Sequence, residues 1–285
     1  MNFRIFKEYK ITFNNGGFLK MKISFSYYPE GKTKALTMSY DDGQIYDRKL
    51  IKIFNQYGIK GTFHLNSGRF DTYPFLNASE IKNLFEEHEV SIHTLNHPFL
   101  TSLPKEMVIE EIREDKMKLE SLVDYPIRGM SYPYGDYNEE IVKMLPYLGI
   151  EYSRTVNSHK SYVLPENFLT WHPTCHHDDH LLERTDEFLK LNSKGRMLLF
   201  YVWGHSFEFE RKNNWDLIEE FCRLIGNNNE IWYTTNIEII DYLSALKNLK
   251  ISVSQKIIYN PSAIPVWIDV DGKAVKIKSG KYLFL

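Results

Sequence analysis

The chain has 285 residues, of which 43% are hydrophobic and 25% are charged, and its formal net charge is -2. This net charge argues against the basic surface typical of nucleic-acid-binding proteins. The sequence has no apolar run of about 18 residues, so no membrane span is predicted. The two cysteines, Cys175 and Cys222, are too far apart for a CxxC metal site and too few for a disulfide framework.

The N-terminal segment lacks the apolar run and the small-residue cleavage site of a signal peptide, so the sequence predicts a cytoplasmic protein. Residues 1–33 are predicted to form an N-terminal β extension. Met21 offers a second start, and the sequence leaves open whether residues 1–20 are an edge strand or an upstream mis-start.

Strand and helix patterns alternate about seven times between residues 34 and 250, which predicts an α/β fold with a parallel barrel or a doubly wound sheet. Strands are predicted at 34–40, 61–65, 90–93, 128–132, 150–156, 168–174, 196–203 and 231–234. Helices are predicted at 47–57, 79–85, 104–122, 139–148, 179–191, 215–225 and 236–249.

The pattern changes after residue 250. Short strands are predicted at 251–259, 264–270 and 274–277, with Asp271-Gly272 as a hairpin turn. Residues 251–285 are therefore predicted to form a small β appendage to the domain that spans residues 34–250.

The first predicted strand ends in Asp41-Asp42-Gly43. Consecutive strand residues point to opposite faces unless the chain turns, and Gly43 permits a turn. One carboxylate can then bind a metal while the other stays free to accept a proton. Taken alone, the motif favours a solvated Asp-Gly turn.

Two histidines, His93 and His97, follow the third predicted strand. Two imidazoles and one carboxylate bind zinc and leave one coordination position open. Together with the Asp pair, they predict a mononuclear metal site beside a spare carboxylate, which is suited to hydrolysis of an amide or ester.

Three further segments carry polar groups at or near strand ends. Ser131-Tyr132-Pro133-Tyr134-Gly135 can present a backbone N–H to an oxyanion, and the most apolar strand delivers His205, whose ordinary pKa suits acid or base catalysis. Residues 171–180 are rich in histidine and aspartate; we interpret them as a polar loop that lines the rim, with a second metal site as the alternative.

The order Asp-Asp-Gly, His-Thr-x-x-His, Pro-Tyr-Gly and a late strand ending in histidine resembles the polysaccharide deacetylases of the NodB-homology type (carbohydrate esterase family 4). The resemblance covers about residues 34–250 and implies an irregular (β/α) barrel. The Trp-Gly-His-Ser form of the last motif and the β appendage are typical of an atypical branch.

The resemblance implies a metal-dependent carbohydrate deacetylase, a hydrolase of non-peptide C–N bonds, in which metal-bound water is the nucleophile. Asp41 is expected to be the general base and His205 the general acid, and Tyr134 is expected to donate its backbone N–H to the oxyanion. The metal is expected to be Zn²⁺, with Co²⁺ or another divalent ion as an alternative. Its expected ligands are Asp42, His93 and His97.

The resemblance also implies a substrate pocket, and it reveals two departures from the family pattern. Where the family has an Arg that steadies the catalytic Asp, this chain has Ser131, so Arg128 or Arg154 is expected to supply that support. The Asp that orients the catalytic His has no clear match, and Asp178 or Asp179 is our interpretation. The expected pocket residues are Tyr132, Pro133, Leu199, Trp203 and His176.

The expected partner is an acetylated carbohydrate, with removal of an N-acetyl group as the favoured reaction. Two alternatives stay open: a hydrolase of allantoin-like cyclic amides, and a catalytically degenerate carbohydrate-binding protein. Neither nucleic acid nor a membrane span is expected.

Overall fold

Strands and helices alternate through most of residues 22–285, which are the residues described by the computed structural model. The question of whether residues 1–20 are an edge strand or a mis-start lies outside the described residues. The strands are β1 (Ile23–Ser24), β2 (Lys34–Asp42), β3 (Gly61–Leu65), β4 (Glu89–Ile92), β5 (Gly129–Ser131), β6 (Tyr152–Arg154), β7 (Cys175–His176), β8 (Leu198–Gly204), β9 (Ile231–Tyr233), β10 (Lys250–Ile251), β11 (Ile257–Tyr259), β12 (Val266–Val270), β13 (Lys273–Ile277) and β14 (Tyr282–Phe284). The helices are α1 (Asp47–Gln56), α2 (Ile81–Leu84), α3 (Lys105–Val123), α4 (Glu139–Met144), α5 (Leu181–Lys190), α6 (Ser206–Lys212), α7 (Trp215–Ile225) and α8 (Asn236–Lys247).

The main sheet is parallel and curled. Seven strands run in the order β6-β5-β4-β3-β2-β8-β7, and β9 pairs with β2 as an eighth strand. Trp171 forms a parallel bridge with Arg154 at the β6 edge. The prediction of an α/β fold with an irregular (β/α) barrel is therefore confirmed.

The central strand β2 is buried along almost its entire length, because the helices cover one face and the barrel interior covers the other. Helix α1 packs against this sheet through a typical amphipathic stripe that includes Leu50, Ile51 and Phe54. All the strands of the sheet point the same way, so their carboxyl ends share one rim.

The predicted strand at 168–174 is wrong. The chain forms a 3-10 turn at Phe168–Thr170, where the Asn167 side chain accepts a hydrogen bond from the Leu169 N–H, and β7 begins only at Cys175. Pro173 has no N–H to donate to a sheet, which is one reason the strand pattern fails here. The short helix α6, which follows His205 directly, was not predicted.

The C-terminal strands form two small antiparallel sheets, β1-β12-β13 and β10-β11-β14. Asp271 and Gly272, both with positive φ, form the predicted two-residue turn between β12 and β13. The predicted continuous strand at 251–259 is instead a hairpin of β10 and β11, with Ile251 opposite Ile258. The domain boundaries at residues 33 and 250 stay predictions.

Between residues 22 and 285, every helix is too short or too polar to cross a membrane.

The barrel interior holds a buried carboxyl group, Glu89, at the start of β4. It accepts hydrogen bonds from Thr62 Oγ1 (2.9 Å), the Tyr152 hydroxyl (2.7 Å) and the Ile237 N–H (2.9 Å). Burial nevertheless raises the pKa of Glu89 from 4.5 to about 7, with these donors opposing the shift. The folded protein therefore keeps a proton on Glu89 at pH values where the unfolded chain has lost it.

We expect this proton to make stability depend on pH. The contribution of Glu89 is complete below about pH 4.5 and is lost as the pH rises to about 7, which amounts to about 3 kcal/mol in the free energy of unfolding. In a Glu89→Gln variant this loss is absent. Urea unfolding of the wild type and of the variant at pH 4.5 and pH 8 measures this loss. The prediction is wrong if the two proteins differ in free energy of unfolding by the same amount at both pH values.

Candidate active site

Polar side chains from five strands meet at the carboxyl rim of the main sheet. Asp41 and Asp42 end β2, His93 follows β4, Ser131 ends β5 and Arg154 ends β6. His205 follows β8 and begins α6. The sheet order places β4, β5 and β6 in succession on one side of β2, and β8 on the other.

Asp42, His93 and His97 form one of the groups able to hold a metal ion. Asp42 Oδ1 lies 3.7 Å from His93 Nε2 and 3.6 Å from His97 Nε2. Ligands about 2.1 Å from a tetrahedral zinc ion lie about 3.4 Å apart, so these separations fit a single ion. Asp42 has a φ of 81°, so the chain turns at the strand end, and the carboxylates of Asp41 and Asp42 both lie 3.7 Å from His93 Nε2.

The hydrogen bonding and the protonation of these three side chains also fit a metal ion. Asp42 Oδ1 is buried and has no hydrogen-bond partner, which is unfavourable unless a cation compensates it. Burial lowers the pKa of both His93 and His97 to about 4, so both imidazoles are neutral at pH 7, as metal ligands must be.

His93 is held in the tautomer that metal binding requires. Its Nδ1 lies 3.0 Å from the Ser131 carbonyl oxygen, which can only accept, so Nδ1 carries the proton and Nε2 presents its lone pair to the site. Ser131 Oγ lies 2.6 Å from the same Nδ1 and donates to Asp41 Oδ1 at 3.1 Å. Ser131 thus links His93 to the carboxylate of Asp41.

Asp115, on α3, was missed by the sequence analysis. Its carboxyl group is buried and accepts hydrogen bonds from the His93 N–H (3.0 Å) and from Ser67 Oγ (2.6 Å). It therefore holds the chain where His93 leaves β4. Its position within a helical stripe of apolar residues was the only signal in the sequence.

Asp41 lies beside the metal-binding group and is paired with Arg154. Burial alone would raise the pKa of Asp41, but the contact with the Arg154 guanidinium, together with His93, holds that pKa well below its usual range. Arg154 is itself fully buried and stacks on Trp203, 4.5 Å from the ring centroid. The carboxyl group of Asp41 is therefore ionised at neutral pH.

Of the two arginines proposed to support Asp41, only Arg154 reaches it. Arg128 lies at the start of β5, at the opposite end of that strand, and binds Asp241 (2.7 and 2.8 Å) and Glu151 (3.1 Å). The expectation for Arg128 is therefore corrected.

His205 caps the N-terminus of α6 and faces a carboxylate on the same helix. Glu208 Oε2 lies 3.3 Å from His205 Nδ1 and accepts the His205 N–H at 3.2 Å. Burial would lower the pKa of His205, but the hydrogen bond to Glu208 and the charges of Asp41 and Asp42 raise it. The protonated imidazole, which can act as an acid, is therefore favoured.

Glu208 corrects the interpretation that Asp178 or Asp179 orients His205. Asp178 is bound by Lys212, and Asp179 is bound by Arg184 at 3.1 Å. The signal in the sequence was the His-x-x-Glu spacing, which matches a capping box, but it could be read only once a helix was known to begin there.

Tyr134 lies at the rim with a φ of 58°, next to Gly135. Its ring is half exposed and stacks on Phe99 with centroids 4.0 Å apart, and it lies nearly perpendicular to the His97 ring with centroids 4.3 Å apart. Two exposed aromatic rings therefore border the metal-binding group.

The other predicted pocket residues divide into two sets. Trp203 and His176 lie near the rim, with their rings 4.7 Å apart. Tyr132 and Pro133 are buried, and the Tyr132 hydroxyl donates to the Leu169 carbonyl at 2.8 Å. The prediction that Leu199 borders the pocket is wrong. Leu199 pairs with Ala35 near the amino end of β2, at the opposite end of that strand from Asp41.

Part of this chain is similar to known deacetylases. Residues 29–153 match the family model described as polysaccharide deacetylase. Among curated relatives, the peptidoglycan-N-acetylglucosamine deacetylase of Bacillus cereus is 27% identical over 111 residues, which are 38% of this chain and 50% of the relative. Chitin deacetylase 1 of Cryptococcus neoformans is 27% identical over 114 residues, which are 40% of this chain and 24% of the relative. The matches thus span half or less of the length of these relatives.

Solved structures show the same fold over a larger share of the chain. Peptidoglycan deacetylase PdaC of Bacillus subtilis superposes with a TM-score of 0.51 at 17% identity, covering 75% of this chain and 92% of that chain. A chain from Mycobacterium smegmatis, assigned as a polysaccharide deacetylase, gives a TM-score of 0.58 at 15% identity, covering 79% and 96%. At these identities the likeness concerns the fold.

Proposed function

This chain belongs to the NodB-homology polysaccharide deacetylases, and from that membership we propose that it is a metal-dependent hydrolase that removes acetyl groups, N-acetyl groups in particular, from a carbohydrate. The observation that carries the proposal is the unpaired, buried Asp42 Oδ1 between two neutral imidazoles, with the separate carboxylate of Asp41 beside them.

We assign the metal to Asp42, His93 and His97, and zinc is the ion that this ligand set suits best, with Co²⁺ as an alternative. When bound there, such an ion lowers the pKa of a water ligand and polarises a carbonyl group. Ser131 supports the assignment by fixing the His93 tautomer through its carbonyl oxygen.

Asp41 is proposed as the general base. It is ionised, it is held by Arg154 and Ser131, and one of its oxygens lies 3.7 Å from His93 Nε2, so it faces the same space as the metal ligands. A carboxylate in this position can accept the proton of an attacking water.

His205 is proposed as the general acid. Glu208 lies 3.3 Å from Nδ1 and favours a proton there, and the raised pKa of His205 favours the protonated ring, whose other nitrogen can donate to the leaving amine. Tyr134 is proposed to offer its backbone N–H to the oxyanion, from a turn whose left-handed conformation sets the direction of that group.

The exposed ring pair of Phe99 and Tyr134 supports a carbohydrate as substrate. Flat apolar rings at the rim suit the apolar face of a sugar, as in other ligand sites lined by aromatic residues. The comparisons do not favour the alternative of cyclic-amide hydrolysis.

The proposal predicts that acetate release depends on metal. Protein stripped with a chelator should release no acetate from N-acetylglucosamine, chitin oligomers or acetylated xylan, and Zn²⁺ or Co²⁺ should restore release from at least one of them. A His97→Gln variant should bind less metal and release less acetate. Full release by the stripped protein would contradict the metal assignment, and no release from any loaded sample would contradict the deacetylase proposal.

A further inference from the structure

A second group of metal-binding side chains lies beside the candidate active site. His176, His177, Asp178 and Glu208, here called the His-Glu cluster, place one possible ligand atom each within 4.8 Å of one another. They come from β7, the turn after it and α6. The cluster shares no residue with the group formed by Asp42, His93 and His97.

At the centre of the His-Glu cluster, one carboxylate oxygen has more nitrogen neighbours than it can accept hydrogen bonds from. Glu208 Oε2 lies 3.0 Å from His176 Nε2, 3.2 Å from His177 Nε2 and 3.3 Å from His205 Nδ1, and it also accepts the His205 N–H at 3.2 Å. A carboxylate oxygen has about two lone-pair sites, so it cannot satisfy four N–H groups. Separations of this size are also those between ligands of one cation.

His177 is the second, independent observation. The residue is fully buried, neither of its ring nitrogens makes a well-aligned hydrogen bond, and Nε2 lies 3.2 Å from the Glu208 oxygen that His176 and His205 also approach. Its ring stacks between Tyr40 and Phe209, with centroids 5.8 and 4.2 Å away, and it lies against Gly204, where a Cβ would come within 2.1 Å of Nδ1. The packing therefore fixes the ring with Nε2 beside Glu208, and a buried imidazole whose nitrogens lack well-aligned partners is unfavourable unless an ion compensates it.

We propose that the His-Glu cluster binds a second divalent cation through His177, Glu208 and His176, with Asp178 as the fourth ligand. Two imidazoles and two carboxylates suit zinc and similar ions. The proposal does not rest on acetyl hydrolysis, since the cluster is assigned from its own geometry.

Two neighbouring groups set measurable properties of this site. The ammonium group of Lys212 contacts Asp178 and is half exposed, so it competes with a cation and can move to solvent. The Asp178 N–H lies 3.2 Å from His176 Nδ1, which leaves the ring proton on Nε2, facing Glu208. Coordination through Nε2 requires that proton to move to Nδ1, so metal uptake is expected to change the His176 tautomer and to break its contact with the Asp178 N–H.

The experiment measures zinc bound per chain. Protein stripped with a chelator is titrated with Zn²⁺ alone, and bound metal is counted after dialysis. The wild type is expected to bind about two zinc ions per chain, whereas His177→Gln and His97→Gln should each bind about one. His180→Gln, an exposed histidine three residues away, is the matched control and should bind about two.

Lys212→Ala keeps the proposal testable if His177→Gln fails to fold, because Lys212 lies at the surface. Removal of the competing ammonium group should tighten the second zinc site severalfold and leave the first unchanged. One zinc ion per wild-type chain, lost in His97→Gln and unaffected by Lys212→Ala, would overturn the proposal and identify the cluster as a hydrogen-bond network around Glu208. Two zinc ions retained by folded His177→Gln would also overturn it.

Discussion

An Asp41→Asn variant is expected to lose acetate release by a factor of about 10²–10⁴ while it keeps the metal bound by Asp42, His93 and His97. The amide cannot accept the proton that the carboxylate accepts, and it occupies nearly the same volume. Asp41 is not among the proposed metal ligands, so zinc bound per chain should stay at the wild-type value. Initial rates of acetate release and metal content of the same samples measure both expectations.

The structure also predicts a loss of stability in Asp41→Asn, which needs a control. The substitution leaves the fully buried guanidinium of Arg154 without its anion, and breaking a buried pair in this way costs about 3–5 kcal/mol. A double variant, Asp41→Asn with Arg154→Met, removes both charges and should recover much of the stability without recovering activity. Substantial activity in either variant would exclude Asp41 as the base.

The second large effect is expected from Arg154 itself. Arg154→Met leaves Asp41 as a buried, unpaired carboxylate, so the free energy of unfolding should fall by about 3–5 kcal/mol at pH 7. Burial then acts on Asp41 without the opposing guanidinium, so the pKa of Asp41 should rise. Urea unfolding measures the stability, and the pH profile of acetate release should lose activity on its acid side.

Arg128→Met is the matched control, because it breaks ion pairs of a similar kind at a position open to solvent. Arg128 and its partners Asp241 and Glu151 are all partly exposed, so the expected cost is about 1 kcal/mol or less. Equal losses from the two arginine variants would contradict the assignment of Arg154 as the support of Asp41.

Much of the candidate site could be predicted from short sequence motifs. Asp41, Asp42, His93 and His97 lie within a few residues of strand ends, and parallel strands bring those ends to one rim whatever the order of the strands. Burial also leaves a pattern in the sequence, so several elements could be predicted from it. These were the apolar runs of β2 and β8 and the amphipathic helices α1 and α7.

Other parts of the site depend on strand neighbours and register. Arg128 and Arg154 were equivalent in sequence, but they stand at opposite ends of adjacent strands, and only the pairing of Ser131 with Arg154 brings the latter beside Asp41. Leu199 was misplaced because the register of β8 against β2 sets its height in the barrel. Glu208 was missed because its position follows from the start of α6 at Ser206.

The sequence by itself therefore determined the α/β class and predicted the candidate metal ligands and the separate carboxylate, because local patterns of burial and short spacings encode them. The tertiary structure alone decided which arginine neutralises Asp41, which carboxylate faces His205, and that His176, His177, Asp178 and Glu208 converge. Each of those contacts joins residues whose distance depends on sheet order, on strand register or on where a helix begins. The spacing of the residues along the chain does not determine any of these three features.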